Sequence, residues 1–254
     1  MKRIVIKIGS KLLTTESNKL DLNNLRTIVD GVSYLYHKKN IECILVSSGA
    51  ITCGSEVLNI SPKTIPQKQA AASIGQLLLL KEYGQFFGVN GINIGQILLT
   101  KDILDHGEKY KNAKNTINTL LKNTVIPIIN ENDSVAIDEI KFGDNDLLSS
   151  YVATLMEANL LVILTDQDGV YDKNPHQHSN ARLLTLLHDI PSDMIDRASD
   201  ALDSKGKGGI KSKLMAAKYC LEHNIPTIVA NGKDSSILKK IINDKKGGTW
   251  ITTK

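Results

Sequence analysis

Lys7 interrupts an otherwise apolar run, Ile4-Val5-Ile6-Lys7-Ile8, and the run breaks at Gly9-Ser10. An ammonium so placed has two uses. It can end a buried strand with its stem covered and its charge in water. It can instead grip an anion at the carboxyl end of a parallel strand, where open α/β sheets bind their ligands. A second lysine, Lys213, closes the segment Gly208-Gly209-Ile210-Lys211-Ser212-Lys213, at the start of a helix-like stretch. Between the two lie further small-residue turns after strand-like runs: Ser47-Ser48-Gly49-Ala50, and Thr165-Asp166 after "LLVIL". Small residues let backbone N–H groups approach anionic oxygens closely, and helix N-termini add a favourable dipole. The chain holds neither GxxxxGK[ST] nor a GxGxxG after a strand, so both common glycine fingerprints for phosphate are excluded. These turns and two lysines point to a nucleotide held by a different arrangement.

Other chemistries find less support. Of the six histidines, His176 and His178 come close together, in a polar loop with no ligand partner nearby in sequence, and no metal site is assigned to them. The three cysteines (Cys43, Cys53 and Cys220) are far apart and make neither a CxxC pair nor a zinc spacing. That usage suits a reducing cytoplasm. With 41% hydrophobic and 23% charged residues among 254, a globular core is expected. A net charge of +4 suits anionic small molecules, whereas the lack of a basic tract and the 4% aromatic content argue against a nucleic-acid surface. Apolar runs such as Leu77 to Leu80 are far too short to span a bilayer. A strand-like run begins directly after Met1, so no leader peptide is expected.

The elements that must position these residues alternate between strand-like and helix-like, which argues for a mostly parallel sheet covered by helices. "RIVIKIG" is read as the first strand, and Leu25, Ile28, Val29, Val32 and Leu35 at helical spacing as the first long helix. "IECILVSS" is a second strand. A helix from about Gln67 to Phe87 precedes the strand "INIGQILL". "KNAKNTINTLLKN" is a helix, "TVIPIIN" a strand, and "SVAIDEIKFGDND" alternates like a small antiparallel hairpin. "LLSSYVATLMEA" and "LLVILT" form a further helix and strand. A less regular region to about Asp203 follows, then a helix ending near His223, the strand "IPTIVANG", and a last helix from about Ser235. No linker, repeat or low-complexity block divides the chain. One domain is expected, with residues 1–160 as one functional half and 161–254 as the other.

Taken in order, the segments "KIGS", "SSGAI", "NENDSV", "FGDNDLLSS", "LTDQDGVYDKNP" and "GGIKSK" resemble the amino acid kinase family. Their combination of "SSGAI" with "NEND" and "GDND" is similar to the branch that phosphorylates glutamate. The resemblance covers essentially the whole chain, from Ile4 to the terminal "GGTW". It implies a three-layer αβα sandwich around a central, mostly parallel sheet. It also implies ATP-dependent phosphorylation of the side-chain carboxylate of L-glutamate, the first step of proline synthesis, with Mg2+ as cofactor. Carried over residue by residue, it makes Lys7 and Lys213 the cations on the ATP phosphates, with Asp146 between them. Ser47, Asp133 and Asn145 would bind glutamate, Asp133 meeting its α-amino group and Asn145 its α-carboxylate. Gly9, Ser10, Thr165, Asp166 and the segment Lys207-Gly208-Gly209-Ile210-Lys211-Ser212-Lys213 would hold the nucleotide. No protein metal ligands are expected, because Mg2+ keeps its hydration and rides on the phosphates. Proline as an inhibitor, hand-over to glutamyl phosphate reductase and a homodimer or homotetramer are further implications.

Two departures stand out. Where the family's glycine-rich segment usually carries a threonine between its first glycines, this chain has "GKGGIKSK", adding Lys207 and Lys211. Many members of this branch carry an RNA-binding type of module, the PUA domain, after the kinase domain, whereas this chain ends at Lys254; a short form is expected. The rivals are another kinase of the same family, acting on aspartate or acetylglutamate, and a non-catalytic amino-acid or nucleotide sensor on the same fold. The sensor would be betrayed by loss of a phosphate lysine or of the aspartate between them.

Overall fold

A computed structural model describes residues 2–100, 107–135, 145–175, 177–200 and 209–253. Its centre is an eight-stranded sheet built on the first strand, β1 (Arg3–Ile8). Beside β1 lies β2 (Glu42–Ser47), then β4 (Val125–Glu131) and β3 (Asn93–Leu99) at one edge. On the other side come β5 (Leu160–Thr165), β9 (Thr227–Asn231), β10 (Thr249–Ile251) and β8 (Leu186–Leu187). From β3 across to β9 every pair is parallel, whereas β10 runs antiparallel to β9. A two-stranded hairpin of β6 (Val170–Tyr171) and β7 (Leu183–Leu184) stands apart from the sheet.

The chain leaves β1 toward β2 and later returns to β1's other side as β5, so the strand order reverses at β1. Open α/β sheets bind ligands outside the carboxyl ends of their strands at such a switch point. Lys7 is the penultimate residue of β1, paired with Val46 on one side and Ile163 on the other.

Alternation along the strands decides which helix layer each functional residue meets, since successive side chains face opposite sides of a sheet. Ile4, Ile6, Ile8, Cys43, Leu45, Ile126 and Ile128 share one buried cluster, against α2 (Leu22–Lys39), α4 (Ile65–Val89) and α9 (Ile237–Lys239, running on as a π turn to Asp244). Val5, Ile44, Val46, Ile129 and Ile163 share the other cluster. Its helices are α5 (Glu108–Lys122), α6 (Asn145–Leu155) and α8 (Ile210–Glu222). By the same alternation Lys7 belongs with Val5 and faces α6 and α8. Ser47 and Asn130 belong with Leu45 and Ile128 and face α4. This is the three-layer sandwich expected.

α3 (Ala50–Leu58) follows β2 and packs against α4 with backbone close to backbone. A Cβ on Gly54 would fall 1.7 Å from the Ala71 carbonyl oxygen, and one on Gly75 would fall 1.8 Å from that of Ala50. Glycine is therefore compulsory on both helices. α4 also begins with a capping box, Thr64 with Gln67, and carries proline in its first turn, which fixes its start just ahead of the segment expected.

The region that looks irregular in sequence forms β6 to β8 and the helix α7 (Ser192–Asp200). The terminal "GGTW" stretch supplies β10. Strands of two or three residues are too short to carry a periodic signal, and that is why these edges were not legible. Most of the hairpin expected between Ser134 and Asp146 lies outside the described residues, as does His176. The three thiols are buried; burial pushes Cys43 and Cys220 up to about 12 and Cys53 up to about 11, so they stay protonated.

Candidate functional site

Asp146, in the first turn of α6, is fully buried, and two ammonium groups converge on it. Lys7 Nζ lies 2.5 Å from Oδ1 and Lys213 Nζ lies 3.2 Å from Oδ2. The lysines are only 3% and 5% exposed, which decides the snorkelling question raised by Lys7: its charge is not in water. Three ionised groups this deep carry a net positive charge and would be costly if unpaired. Ser212 Oγ sits 2.8 Å from both Asp146 Oδ2 and the Gly209 carbonyl oxygen, and its single proton serves one of them at a time. Lys213 Nζ also donates to the Gly209 carbonyl at 3.4 Å. The lysines are thus held in place from β1, α6 and α8 together.

Both lysines open into a cleft of about 800 Å3 along the carboxyl ends of β1 and β5. Lys7, Lys11, Lys211 and Lys213 line it with the carboxylates of Asp166, Asp172, Asp189 and Asp193, and Val170, Leu184, Leu187, Pro191, Met194 and Leu214 add apolar wall. Cationic and apolar lining in one cleft suits a nucleotide, whose phosphates and base make opposite demands. Gly9, Ser10, Thr165, Asp166, Gly209, Ile210 and Lys211 all line this cleft. α8 starts at Gly209 with no side-chain cap, so its first N–H groups are left for an anion. Ser212 bonds to Asp146 instead of lining the cleft. Lys207 and Gly208 lie outside the described residues.

Lys11 was not expected in the site. It pairs with Asp166 at 3.5 Å across the cleft, from the short helix α1 (Ser10–Leu13). Burial pushes the Asp166 carboxyl up, but Lys11 and hydrogen bonds from its own backbone and from Thr165 outweigh it and hold the group below its usual value.

Of the residues expected to bind glutamate, Asn145 and Ser47 meet. Asn145 Nδ2 donates toward the Ser47 carbonyl at 2.9 Å, Ser48 Oγ at 3.1 Å and Asn130 Oδ1 at 2.8 Å. Two protons shared among three acceptors leave the amide nitrogen nothing for a ligand. What Asn145 can offer is Oδ1, an acceptor, which suits an ammonium and not the carboxylate expected for it. The Ser47 side chain faces inward: it is buried, and its hydroxyl lies 2.9 Å from Tyr83 OH. Asp133 is half-buried in the turn after β4, which Val135 N–H closes onto the Asn132 carbonyl at 3.1 Å. Gly49 starts α3 with φ +103° and no capping side chain, leaving the first N–H groups of α3 unclaimed by a cap.

Comparison with known proteins agrees with this geometry. The model of the amino acid kinase family matches residues 2–231. The chain is 46% identical over 251 residues to a glutamate 5-kinase of Syntrophus aciditrophicus, an alignment spanning 98% of this chain and 65% of that protein. It therefore covers just under two thirds of that relative's length. A glutamate 5-kinase of Clostridium tetani is 43% identical over 253 residues, 99% of this chain and 94% of its own. Among solved structures, UMP kinase from Bacillus anthracis superposes with a TM-score of 0.66 at 16% identity, over 99% of this chain and 96% of that one. Isopentenyl phosphate kinase from T. acidophilum gives 0.66 at 17%, over 98% and 100%. At such identities these two speak for the fold alone.

Proposed function

The chain belongs to the amino acid kinase family, and on that premise we propose that it is a glutamate 5-kinase, moving the γ-phosphoryl group of ATP to the side-chain carboxylate of L-glutamate. The observation that carries this reading is the Lys7–Asp146–Lys213 bridge, whose two lysines line the cleft. The relatives named for this activity support the choice of acceptor.

An oxygen of the glutamate side-chain carboxylate attacks the γ-phosphorus. The new O–P bond forms as the bond to the β,γ-bridging oxygen breaks, and that electron pair leaves with ADP, yielding L-glutamyl 5-phosphate. A carboxylate with an ordinary pKa of about 4.3 is already ionised at neutral pH, so no base has to remove a proton. The obstacle is repulsion between two anions and the charge spread over the moving phosphoryl group. Lys7 and Lys213 supply the opposing charge from fixed positions, and Asp146 keeps their ammonium groups apart and aimed while the cleft is empty of phosphate. Asp133 and Asn145 Oδ1 would meet the α-ammonium, and the N–H groups opening α3 the α-carboxylate.

Mg2+ fits as a group that arrives with the nucleotide. Phosphate oxygens and waters would hold it, since this ion keeps its hydration. When bound it neutralises phosphate charge. Proline inhibition, hand-over of the reactive acyl phosphate to glutamyl phosphate reductase, a dimeric or tetrameric assembly and a cytoplasmic setting complete the proposal. Among the described residues no helix is long and apolar enough to cross a membrane.

Trapping with hydroxylamine tests the reading. Purified protein with ATP, Mg2+ and L-glutamate is expected to form a hydroxamate, with little from aspartate or N-acetylglutamate. Equal turnover of N-acetylglutamate would defeat the role given to Asp133, because acetylation removes the charge it is meant to meet.

A further inference from the structure

α4 runs beneath the acceptor flank and touches it at several points. Ser73 Oγ lies 3.0 Å from Ser134 Oγ, in the same turn as Asp133. Gln76 Oε1 accepts from Asn130 Nδ2 at 2.8 Å, while Asn130 Oδ1 accepts from the Glu131 N–H at 2.9 Å and from Asn145 Nδ2. Seven residues on, and so back on the same helix face, stands Tyr83. It is fully buried, its ring stacked 6.2 Å from that of Phe87, and its hydroxyl reaches Ser47 Oγ.

The direction of each side-chain amide bond in this network is determined. The Glu131 N–H can only donate and the Ser47 carbonyl can only accept, so turning either asparagine end for end would oppose like groups. Between Ser47 Oγ and Tyr83 OH either hydroxyl can donate; when Ser47 gives its single proton to the Ser48 carbonyl at 3.1 Å, Tyr83 is the donor. Burial raises the phenol's pKa, so that proton stays in place throughout the neutral range. The Ser47-Ser48 turn is therefore gripped from below by Tyr83 and from the side by Asn145, the residue next to Asp146.

We infer that Tyr83 is a positioning residue for the acceptor: its hydroxyl, acting through Ser47, fixes the turn that opens α3 and so sets the fit of the amino-acid substrate. The inference rests on the reading that the acceptor binds at this turn. A merely structural phenol would support α4 packing, and its loss would spare both substrates or weaken both alike. A positioning phenol affects one substrate.

Steady-state kinetics of Tyr83→Phe with both substrates varied provide the test. The ring and its stacking survive this change, and only the hydrogen bond is lost. The glutamate KM is expected to rise by about three- to tenfold, the effect of one neutral hydrogen bond, with the ATP KM within about twofold of the parent. In a Ser47→Ala background the same change is expected to add nothing, because the partner is already gone. Phe87→Leu, on the same helix, is expected to lower the melting temperature and leave the glutamate KM alone. An unchanged glutamate KM in Tyr83→Phe, parallel rises in both KM values, or full additivity with Ser47→Ala would overturn the inference. The parent protein's acceptor panel keeps the two readings apart. If it phosphorylates a different acidic amino acid, glutamate is the wrong substrate and the Tyr83 measurements are made with that acid. If it phosphorylates none, both readings fall.

Discussion

Two cations share one aspartate here, and the arrangement makes different predictions for a cation and for the aspartate. Lys213→Ala should lower kcat by roughly two to three orders of magnitude, the usual loss when one donor to developing charge is removed; single-turnover rates check it. Asp146→Asn should behave differently, because it leaves two buried ammonium groups facing each other. Breaking a buried pair typically costs about 3–5 kcal/mol, so the variant's melting temperature should fall. Triphosphate supplies the missing countercharge, so ATP should raise that temperature more in the variant than in the parent. An equal ATP shift in both would mean that Asp146 does not balance the phosphate lysines. Lys11 is expected to matter for binding and not for rate: Lys11→Ala should raise the ATP KM, less so at high salt, since the pair with Asp166 is half exposed. Lys7 and Lys213 were legible because a lysine inside an apolar strand, or closing a glycine run, violates the local pattern. Lys11 follows a serine on a polar stretch and violates nothing. Tyr83, Gln76 and Asn130 were hidden for the opposite reason. Each sits in an apolar or helical run where an aromatic or amide reads as core or surface, and only the strand alternation that turns Ser47 and Asn130 toward α4 reveals the use.

Elements hold these residues by contacts that leave little slack. Gly75→Ala would push a methyl into the Ala50 carbonyl, and the obstacle is backbone, which cannot rotate away. The cost should reach about 3 kcal/mol, the top of the common overpacking range, read by denaturant melts. Because Ala50 follows Gly49, moving α3 should also raise the glutamate KM while sparing that for ATP. The start of α9 is governed by charge. Asp234 accepts from Ser236 N–H at 2.9 Å, Ser236 Oγ at 2.6 Å and Lys240 Nζ at 2.6 Å. The Lys240 hydrogen bond, followed by those of Ser236, holds its carboxyl down at about 2, against 3.8 ordinarily. A depressed carboxyl stabilises the folded state fully above its unfolded value and loses that contribution as pH falls through the folded one. Asp234→Asn should therefore cost stability at neutral pH but flatten the loss between about pH 4 and pH 2. Equal acid slopes for the two proteins would show that the carboxylate is not what anchors α9.

At the scale of the molecule, one sheet carries both proposed substrate flanks. The parallel body of that sheet was legible because strands buried on both faces read as continuous apolar runs between helices; its antiparallel edge was too short to announce itself. The hydrophobic cluster under α2 and α4 draws on β1, β2 and β4 from the acceptor side and on β5 and β9 from the nucleotide side. The cluster under α6 and α8 does the same with Val5, Ile44 and Ile129 against Leu161, Ile163 and Val229. Neither half can lose its core without exposing that of the other, so the chain should unfold in one step. ATP, which would touch the cleft flank alone, should then stabilise both halves. At a ligand concentration of about 100 Kd the gain is about 2.7 kcal/mol, which for a chain of this size is roughly 5–10 °C. The single tryptophan, Trp250 on β10, reports the nucleotide flank by fluorescence, while far-ultraviolet circular dichroism reports helices throughout. The two melting curves should coincide without ATP and move together with it. Two separate transitions, with ATP raising only the one seen by Trp250, would mean that the shared sheet does not couple the flanks.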